Sequence, residues 1–358
     1  MQVFDSQSQI VLLGSLLAKR GEGSVYDLPD RRHLVAKVYH KPTYERSEKL
    51  QAMVAAQTPG LSRLAAWPVE TLHARKGGEA IGFLMPKIAG AEEVHVLYGP
   101  RSRKERFPNA TWQFLVHTAT NIARSFAVVH EHGHVIGDVN HGNLLVTQNA
   151  TVSLIDCDSF HLRLDEKLFP CGVGVSTHTP PELQETNFTR ADRTANHDNF
   201  GLAVLLFQIL FMGRHPFSGQ FTGKGDMPIE RAIKEYRFAY GAKSESRQMQ
   251  PPPGTLPLSA IPDTLSCWFD KAFLPQPPGA LRPTAREWVR SLEVLGRTLK
   301  VCSLHPGHQY FRDCAACPWC EIESATNALL FYIPAGSALS LPSIEDLWAT
   351  IAAVSPPP

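Results

Sequence analysis

The feature that most constrains this chain is a set of three polar residues between positions 130 and 160. This segment ends a predicted helix and continues into a short loop and two brief apolar strands. Asp138 and Asn143 lie in the loop with four residues between them, and Asp156 follows the second strand. Phosphoryl transfer uses a carboxylate to orient the attacking hydroxyl and oxygen ligands to hold Mg²⁺ against the phosphates. The segment therefore carries the residue types that this chemistry needs.

Size and composition narrow the class of protein. The 358 residues allow two or three domains, and the 43% of hydrophobic residues can fill a core. A formal net charge of +1 gives no indication of a nucleic acid or an anionic membrane as a partner. Near the start, the apolar run IVLLGSLLA lacks the basic residues of a signal peptide and the length of a membrane span.

Residues 10–40 are predicted to form three strands, with Gly21 and Gly23 in a turn between them. Glycines there would let the backbone close over a phosphate. The third glycine of a GxGxxG pattern is missing, because Tyr26 stands at its position, so these two glycines taken alone favour a plain hairpin turn. Lys37 lies inside an apolar strand, where a lysine directed into the core is costly unless it is paired. An edge-strand lysine that points outward is the alternative.

A helix is predicted from Thr43 to Gln57, and it offers two carboxylates as partners for Lys37. Glu45 and Glu48 are nearly one turn apart, so one could face the lysine while the other faces solvent. We favour Glu48 because it precedes the apolar residues that would pack the helix.

Two strand-like runs follow, and the second ends at Met85-Pro86-Lys87-Ile88. Free backbone groups in this hinge could form hydrogen bonds with an adenine ring. Pro86 has no N–H, so the contacts would come from its carbonyl and from Ile88.

Further elements follow in order. Residues 111–132 form the clearest predicted helix, with Gly133 as its C-cap, and this helix leads into the loop of Asp138. Thr179-Pro180-Pro181-Glu182 is similar to the A-P-E motif that closes an activation segment in protein kinases. Asp198 opens an apolar helix, and Arg282 is the expected ion-pair partner of Glu182.

These motifs, spread over residues 10–297, resemble those of bacterial eukaryotic-like Ser/Thr protein kinases. Together with the cysteines and histidines that follow, they resemble the YegI-type branch, in which a divergent kinase domain precedes a Cys/His zinc motif. The resemblance implies an α+β, bilobal protein-kinase-like fold with a β-rich N-lobe, a helical C-lobe and a small zinc-binding module. The expected limits are 1–88 for the N-lobe, 89–299 for the C-lobe, 300–322 for the zinc motif and 323–358 for the tail.

The resemblance also implies a function. It predicts ATP-dependent phosphorylation of Ser or Thr on protein substrates, including autophosphorylation, with ATP, Mg²⁺ and Zn²⁺ as cofactors and a cognate phosphatase as a further partner. Asp138 would be the catalytic base, and Lys37, paired with Glu48, would hold the phosphates. Asn143 and Asp156 would bind Mg²⁺. The nucleotide would lie against Gly21, Gly23, Val25, Lys37, Met85, Pro86, Ile88, Asn143 and Asp156.

Several positions depart from the kinase pattern. Ile136 and Gly137 replace the His and Arg of H-R-D, so a phosphorylated activation segment would lack its usual anchor. Asn140 replaces the lysine of the catalytic loop, which would lower the rate. Cys157 and Asp158 replace the Phe and Gly of D-F-G, and Asp158 could be a further metal ligand or a turn cap.

Two other classes of protein remain open. A glycine directly before Asp138 also resembles small-molecule phosphotransferases of the aminoglycoside type, but those enzymes lack the PPE and RPTA elements. A pseudokinase that binds nucleotide or protein is favoured by Asn140. The retained residues favour an active kinase instead, and they are Lys37, Asp138, Asn143 and Asp156.

Four of the seven cysteines lie between Cys302 and Cys320, which favours a reduced, cytoplasmic compartment and one metal site over a disulfide framework. Cys317-Pro-Trp-Cys320 is a C-x-x-C pair that could meet one Zn²⁺ from a tight turn. The second pair must come from Cys302, His305, His308 or Cys314. The YegI-type resemblance favours Cys302 and His308, and a cluster of free surface thiols is the alternative. A helix is expected in the tail from Ser343.

Overall fold

An antiparallel sheet of seven strands forms the N-terminal part of the chain. The computed structural model describes residues 2–164 and 167–333. The strand order in the sheet is β2-β1-β6-β7-β5-β4-β3. Its strands are β1 (Gln2–Asp5), β2 (Ile10–Leu12), β3 (Leu16–Lys19), β4 (Gly23–Asp27), β5 (Leu34–Tyr39), β6 (Glu70–His73) and β7 (Ala80–Pro86).

Residues 10–40 contain four strands, β2 to β5, instead of the three predicted from the sequence. Gly14 and Ser15 divide the apolar run IVLLGSLLA between the strands β2 and β3. Its first half therefore pairs with β1, and its second half pairs with β4. The interior strand β5 lies between β4 and β7, so that Lys37 is opposite Val25 on one side and Phe83 on the other.

Two helices cross from the sheet to the rest of the molecule, α1 (Tyr44–Ala55) and α2 (Pro59–Leu64). The Thr43 hydroxyl caps α1 by accepting a hydrogen bond from the backbone N–H of Arg46 at 3.2 Å. Helix α1 buries a short stripe of residues, and one of them, Ser47, accepts a hydrogen bond from the Ala80 N–H at 2.9 Å. This bond fixes the rotation of α1 against strand β7.

The C-terminal part is mainly helical and is built around α5 and α6. The apolar face of α5 packs on α6 and on the last long helix, as its helical spacing predicts. Helix α6 is buried nearly all round. The helices are α3 (Val94–Tyr98), α4 (Pro100–Arg106), α5 (Trp112–Glu131), α6 (Ala195–Leu210), α7 (Ile229–Lys234), α8 (Asp263–Phe273) and α9 (Ala285–Arg297).

Short β-strands lie in the segments that connect these helices and in the segment that follows the last of them. A three-stranded sheet of β8, β9 and β10 supports the loop of Asp138 and ends just before Asp156, and three two-stranded sheets follow. The strands are β8 (Ala91–Glu93), β9 (Leu144–Thr147), β10 (Val152–Leu154), β11 (Leu162–Leu164), β12 (Lys167–Phe169), β13 (Gln220–Phe221), β14 (Met249–Gln250), β15 (Leu299–Val301) and β16 (Gln309–Phe311).

The Cys/His segment forms the β15–β16 hairpin and helix α10 (Pro318–Thr326), and it packs on the helical lobe. The Trp319 ring lies 5.3 Å from the Trp112 ring at the start of α5, in an edge-to-face contact. Both tryptophans are fully buried in one core cluster that joins the two parts. Truncating a buried tryptophan costs about 3 to 5 kcal/mol, so this contact couples the segment to the lobe.

In the part of the chain that the structure describes, no helix combines the length and the apolar character needed to cross a membrane. The helix expected from Ser343 lies outside the described residues.

Candidate active site and metal site

A cleft of about 490 Å³ lies between the seven-stranded sheet and the helical lobe. It brings together residues that are far apart in the sequence, from the glycine turn, strand β5, the hinge, the loop before β9 and the turn after β10. The lining includes Gly21, Gly23, Val25, Lys37, Met85, Pro86, Ile88, Asp138 and Asp156. Their assignment to a nucleotide stays a prediction, but they share one cavity.

The glycine turn and the hinge line the cleft from the side of the seven-stranded sheet. A Cβ on Gly23 would lie 2.8 Å from the Val38 carbonyl oxygen, so this position requires glycine for strand pairing. At Gly21 no atom lies within 4 Å of such a Cβ. In the hinge, the Lys87 N–H donates to the His33 carbonyl at 2.9 Å. The Lys87 N–H is therefore already used within the protein. The predicted adenine contacts, from the Pro86 carbonyl and from Ile88, lie on either side of it in the chain.

The buried carboxylate of Asp198 holds the loop of Asp138 in place. Its two oxygens accept hydrogen bonds from the backbone N–H groups of Ile136 at 2.7 Å and Gly137 at 2.9 Å. The His130 ring at the end of α5 lies 3.0 Å from the same carboxylate. The two backbone bonds fix the chain immediately before Asp138, and the His130 ring contacts the carboxylate that accepts them.

Asn143 orients the Asp138 side chain. Its Nδ2 donates to Asp138 Oδ2 and to the Asp138 carbonyl oxygen, both at 3.0 Å. Oδ1 of Asp138 is buried and has no hydrogen-bond partner among the described residues. Burial raises the pKa of Asp138, although the hydrogen bond from Asn143 acts in the opposite direction. The carboxyl group is thus fixed through one oxygen and free at the other.

Asn140 braces the same loop. Its Oδ1 accepts a hydrogen bond from the Gly142 N–H at 2.8 Å, and its Nδ2 donates to the Asp138 carbonyl oxygen at 3.2 Å. A neutral amide thus maintains the loop geometry at the position where the resembling kinases have a positive charge.

Lys37 is buried, and its partners differ from those that were predicted. Its Nζ lies 2.7 and 2.9 Å from the two oxygens of Asp158 and 3.2 Å from Oδ1 of Asp156. Burial by itself would lower the pKa of Lys37, but these two carboxylates outweigh it and raise the pKa. Asp158 is therefore the partner of Lys37. From the sequence, Asp158 was considered only as a further metal ligand or as a turn cap.

The predicted pairing of Lys37 with Glu48 is wrong for this structure. Glu48 forms an ion pair with Lys167 of strand β12, and Glu45 is exposed. The rotation of α1 explains the difference, because Ser47 and Leu50 are the residues it turns toward the sheet. A position one residue along a helix is rotated by about 100°, which directs Glu48 away from Lys37.

The segment from Asp156 to Glu182 is tied to the helical lobe at its end. Arg282 donates to both carboxylate oxygens of Glu182, at 2.6 and 2.8 Å. Burial would raise the pKa of Glu182, but the bonds and charge of Arg282 outweigh it and lower the pKa. The predicted ion pair is present.

Arg193 holds the middle of that segment and was not identified from the sequence. Its guanidinium donates to the Val173 carbonyl oxygen at 2.8 Å, lies 3.7 Å from the Cys171 sulfur and stacks on the Phe188 ring at 4.0 Å. No local pattern marks this residue, because its contacts with Cys171 and Val173 form only when the chain has folded.

Four side chains of the C-terminal segment form a compact cluster, and they are the four that were favoured. The ligand atoms of Cys302, His308, Cys317 and Cys320 all lie within 4.8 Å of one another. The Cys302 and Cys320 sulfurs are 3.7 Å apart, and His308 Nδ1 lies 3.4 Å from the Cys320 sulfur. Two thiolates on one tetrahedral Zn²⁺, with bonds of about 2.3 Å, lie about 3.8 Å apart. The donor set and its spacing fit zinc.

The alternatives for the second ligand pair lie outside the cluster. The Cys314 thiol contacts the Ala260 carbonyl oxygen at 3.8 Å, and the His305 ring stacks on the His308 ring at 4.0 Å. Nε2 of His308 lies 3.2 Å from a carboxylate oxygen of Glu323. Metal-bound histidines commonly donate their second ring N–H to a carboxylate, and Glu323 lies where such a carboxylate would be needed.

The two lobes and the cleft between them define a protein-kinase fold. A Cys/His cluster of the kind that binds a metal ion follows it in the chain. A solved structure described as the ROP18 kinase domain in complex with AMP-PNP and sucrose matches with a TM-score of 0.54 and 13% identity. The match covers 83% of this chain and 84% of that chain. At this identity the likeness shows the fold alone, and it confirms the predicted bilobal kinase architecture.

The chain is similar over its whole length to protein kinase YegI. It is 40% identical to the protein from Escherichia coli K12 over 365 residues, and 40% identical to that from Escherichia coli O157:H7 over 363 residues. These matches cover 100% and 99% of this chain but 56% of each relative, so the chain spans about half the length of the curated relatives it matches. No protein-family model matches the chain. The resemblance to YegI-type kinases is confirmed.

Proposed function

We propose that the chain is a protein kinase that binds ATP with Mg²⁺ and phosphorylates Ser or Thr residues of protein substrates, with Asp138 as the base. The observation that carries the proposal is the common cleft of Lys37, Asp138 and Asp156, which come from three separate parts of the chain. The kinase names of the relatives support the reaction class.

The roles follow from the contacts. Asn143 holds one oxygen of Asp138, and the other oxygen would orient the substrate hydroxyl and accept its proton. Lys37 would carry the positive charge for the phosphates. Asn143 uses its amide N–H groups on Asp138, so its carbonyl oxygen is the end suited to a metal, and with Asp156 it would hold Mg²⁺. When bound, Mg²⁺ neutralises charge on the phosphates.

The remaining expectations are part of the same proposal. Residues 1–88 would act as the N-lobe, 89–299 as the C-lobe and 300–322 as a closed structural zinc module, with 323–358 as the tail. We expect the protein to act in the reducing surroundings of the cytoplasm, where the thiols of the Cys/His cluster remain available for Zn²⁺. We expect the phosphate on the substrate to be removed by a cognate phosphatase.

The test is a comparison of Asp138→Asn with the wild type. The isosteric amide keeps the bond to Asn143 available but cannot accept the substrate proton, so phosphate transfer should fall by about 10² to 10⁴-fold while ATP binding persists. Asp30→Asn, at an exposed turn of the N-terminal sheet, is the control for loss of one charge. Phosphorylated residues are identified by mass spectrometry after incubation with Mg²⁺ and ATP.

Two results would contradict the proposal. Equal labelling of a protein substrate by Asp138→Asn and wild type would remove Asp138 from the reaction. A wild-type protein that binds ATP but transfers no phosphate to itself or to protein substrates would be a pseudokinase, or would act on small molecules such as aminoglycosides.

A further inference from the structure

Asp158 is a fully enclosed carboxylate with three hydrogen bonds, all from the strand that carries Lys37. Its side chain is 4% exposed. Lys37 Nζ contributes two of the bonds, and the Tyr39 hydroxyl donates the third at 2.8 Å. Lys37 and Tyr39 are two residues apart on β5, so they project from the same face of the sheet. Strand β5 therefore supplies all three hydrogen bonds to the carboxylate of Asp158.

The carboxylate is also placed by a rigid turn. Asp156 has a left-handed backbone with φ of 56°, and its carbonyl oxygen accepts hydrogen bonds from the Ser159 N–H at 3.0 Å and from the Ser159 hydroxyl at 2.8 Å. Cys157, between the two acidic residues, is buried in the core of the helical lobe. One short turn therefore aims two carboxylates at Lys37.

An enclosed acid–base pair is costly to form and is retained only when its geometry satisfies both groups. Here burial opposes ionisation of both partners. The hydrogen bonds that Lys37 Nζ and the Tyr39 hydroxyl donate to the Asp158 oxygens offset this cost. A buried positive charge at the wall of the cleft is what an anionic phosphate requires, and its position is set by Asp158.

Helix α1 contributes no carboxylate to this pair. Glu48 is engaged with Lys167, and α1 faces the sheet with Ser47 and Leu50. The α1 side chain that bonds to the chain just after Asp158 is Lys49, which has the opposite charge and donates to the Phe160 carbonyl oxygen at 2.6 Å. Burial lowers the pKa of Lys49 to about 8. The sequence predicted that the carboxylate beside Lys37 would come from α1. In the structure the carboxylate comes from the turn after β10, and α1 supplies a lysine instead.

We propose that Asp158 is the positioning residue that holds Lys37 for the phosphates, in place of a carboxylate from α1. The placement of the lysine then depends on the turn after β10 and not on the position of α1. The inference rests on the proposed function, because it assigns Lys37 to nucleotide phosphates. Asp158 acts through Lys37 and does not itself touch the nucleotide.

The experiment compares Asp158→Asn, Asp158→Glu, Tyr39→Phe and Glu48→Gln with the wild type. We measure ATP affinity by titration with and without Mg²⁺, the KM for ATP and kcat in turnover, and the melting temperature. A misplaced reacting group costs about 10²-fold, so kcat/KM for ATP in Asp158→Asn should fall by that order. Tyr39→Phe leaves the ion pair in place and should lose less, and Asp158→Glu should recover part of the loss.

A mutant cycle with Lys37→Met makes the test specific. If Asp158 acts through Lys37, then Asp158→Asn should change ATP affinity little when Lys37 has already been removed. Glu48→Gln should change kcat/KM less than Asp158→Asn does. Since ATP affinity is measured without turnover, this arm is informative even if the wild type transfers no phosphate.

Three outcomes would overturn the inference. A lower melting temperature in Asp158→Asn with unchanged ATP affinity and KM would make the pair purely structural. A loss confined to Mg²⁺-dependent binding would make Asp158 a metal ligand. A larger loss in Glu48→Gln than in Asp158→Asn would restore the carboxylate of α1 as the partner in the active state.

Discussion

The guanidinium of Arg193 occupies the space that a side chain at position 137 would need. A Cβ built on Gly137 would lie 3.0 Å from Nη1 of Arg193 and 2.9 Å from the Cys171 sulfur. Gly137 also has φ of +77°, a left-handed conformation that glycine adopts without a steric penalty. The position where the resembling kinases have an arginine is thus glycine, and an arginine from a distant segment fills the space.

This arrangement predicts that the part of the segment around Cys171 and Val173 is ordered without a phosphate. Arg193 binds the Val173 carbonyl oxygen, so its charge is already used within the segment. We expect a variant with alanine at Ser176, Thr177 and Thr179 to remain folded and active. Turnover is measured on protein first treated with a phosphatase.

The matched comparison is Arg193→Met, which keeps an apolar contact with Phe188 but removes the bond to Val173. Loss of a buried charged hydrogen bond costs about 1 to 3 kcal/mol, so this variant should melt at a lower temperature and lose activity. A triple alanine variant that is folded and inactive would contradict the prediction, provided that Thr179→Ala alone is active.

The pair of Glu182 and Arg282 predicts a defined loss of stability in acid. Arg282 lowers the pKa of Glu182 below its ordinary value of 4.5, so the folded state favours the charged carboxylate. The pair therefore stabilises the fold above that pH, and this contribution is lost as the pH falls below it. The side chain of Glu182 is 37% exposed and solvent screens the pair, so Glu182→Gln should cost about 1 kcal/mol at neutral pH.

The measurement is the melting temperature of wild type and Glu182→Gln from neutral pH down to pH about 3.5, a window set by the ordinary pKa of the carboxyl group. The difference should shrink as the pH falls through the titration of Glu182. Glu105→Gln is the control, because Glu105 pairs with the exposed Arg101 and should show little difference at any pH. A constant difference over the whole range would show that the charge of Glu182 is not what stabilises the fold.

The cluster of Cys302, His308, Cys317 and Cys320 predicts about one Zn²⁺ per chain. Replacing both Cys317 and Cys320 by serine should abolish zinc binding and lower the melting temperature of the whole protein. The second effect follows from Trp319, which lies between the two cysteines and packs on the helical lobe. Metal analysis and thermal unfolding, with and without a chelator, check both parts.

His305→Ala is the matched control for His308→Ala, since the two rings are stacked but only His308 belongs to the cluster. Zinc should be lost from the His308 variant and kept by the His305 variant. Full zinc retention in the double serine variant would disprove the site, and the reverse result for the histidines would reassign the ligand.

The sequence by itself determined the features that depend on short spacings. Asp138 and Asn143 are close in the chain, so their hydrogen bond is a property of one loop that the motif already specifies. The C-x-x-C pair is local in the same sense. The long helix before the loop was predicted for residues 111–132 and is found at Trp112–Glu131, because its apolar spacing is a local periodicity. The order of such local motifs along the chain was enough to predict the kinase fold.

Only the tertiary structure decided which distant side chains meet. Lys37 and Asp158 are 121 residues apart, and whether the lysine pairs with Asp158 or Glu48 depends on the rotation of α1 and on the turn after β10. Gly137 and Arg193 likewise meet only when the segment between them has folded back. Rotating a helix about its axis, or moving it by a few ångströms, changes which side chains are in contact. The packing of the whole core determines both the rotation and the position. Sequence spacing identifies the charged groups, whereas the packed fold determines the pairs that they form.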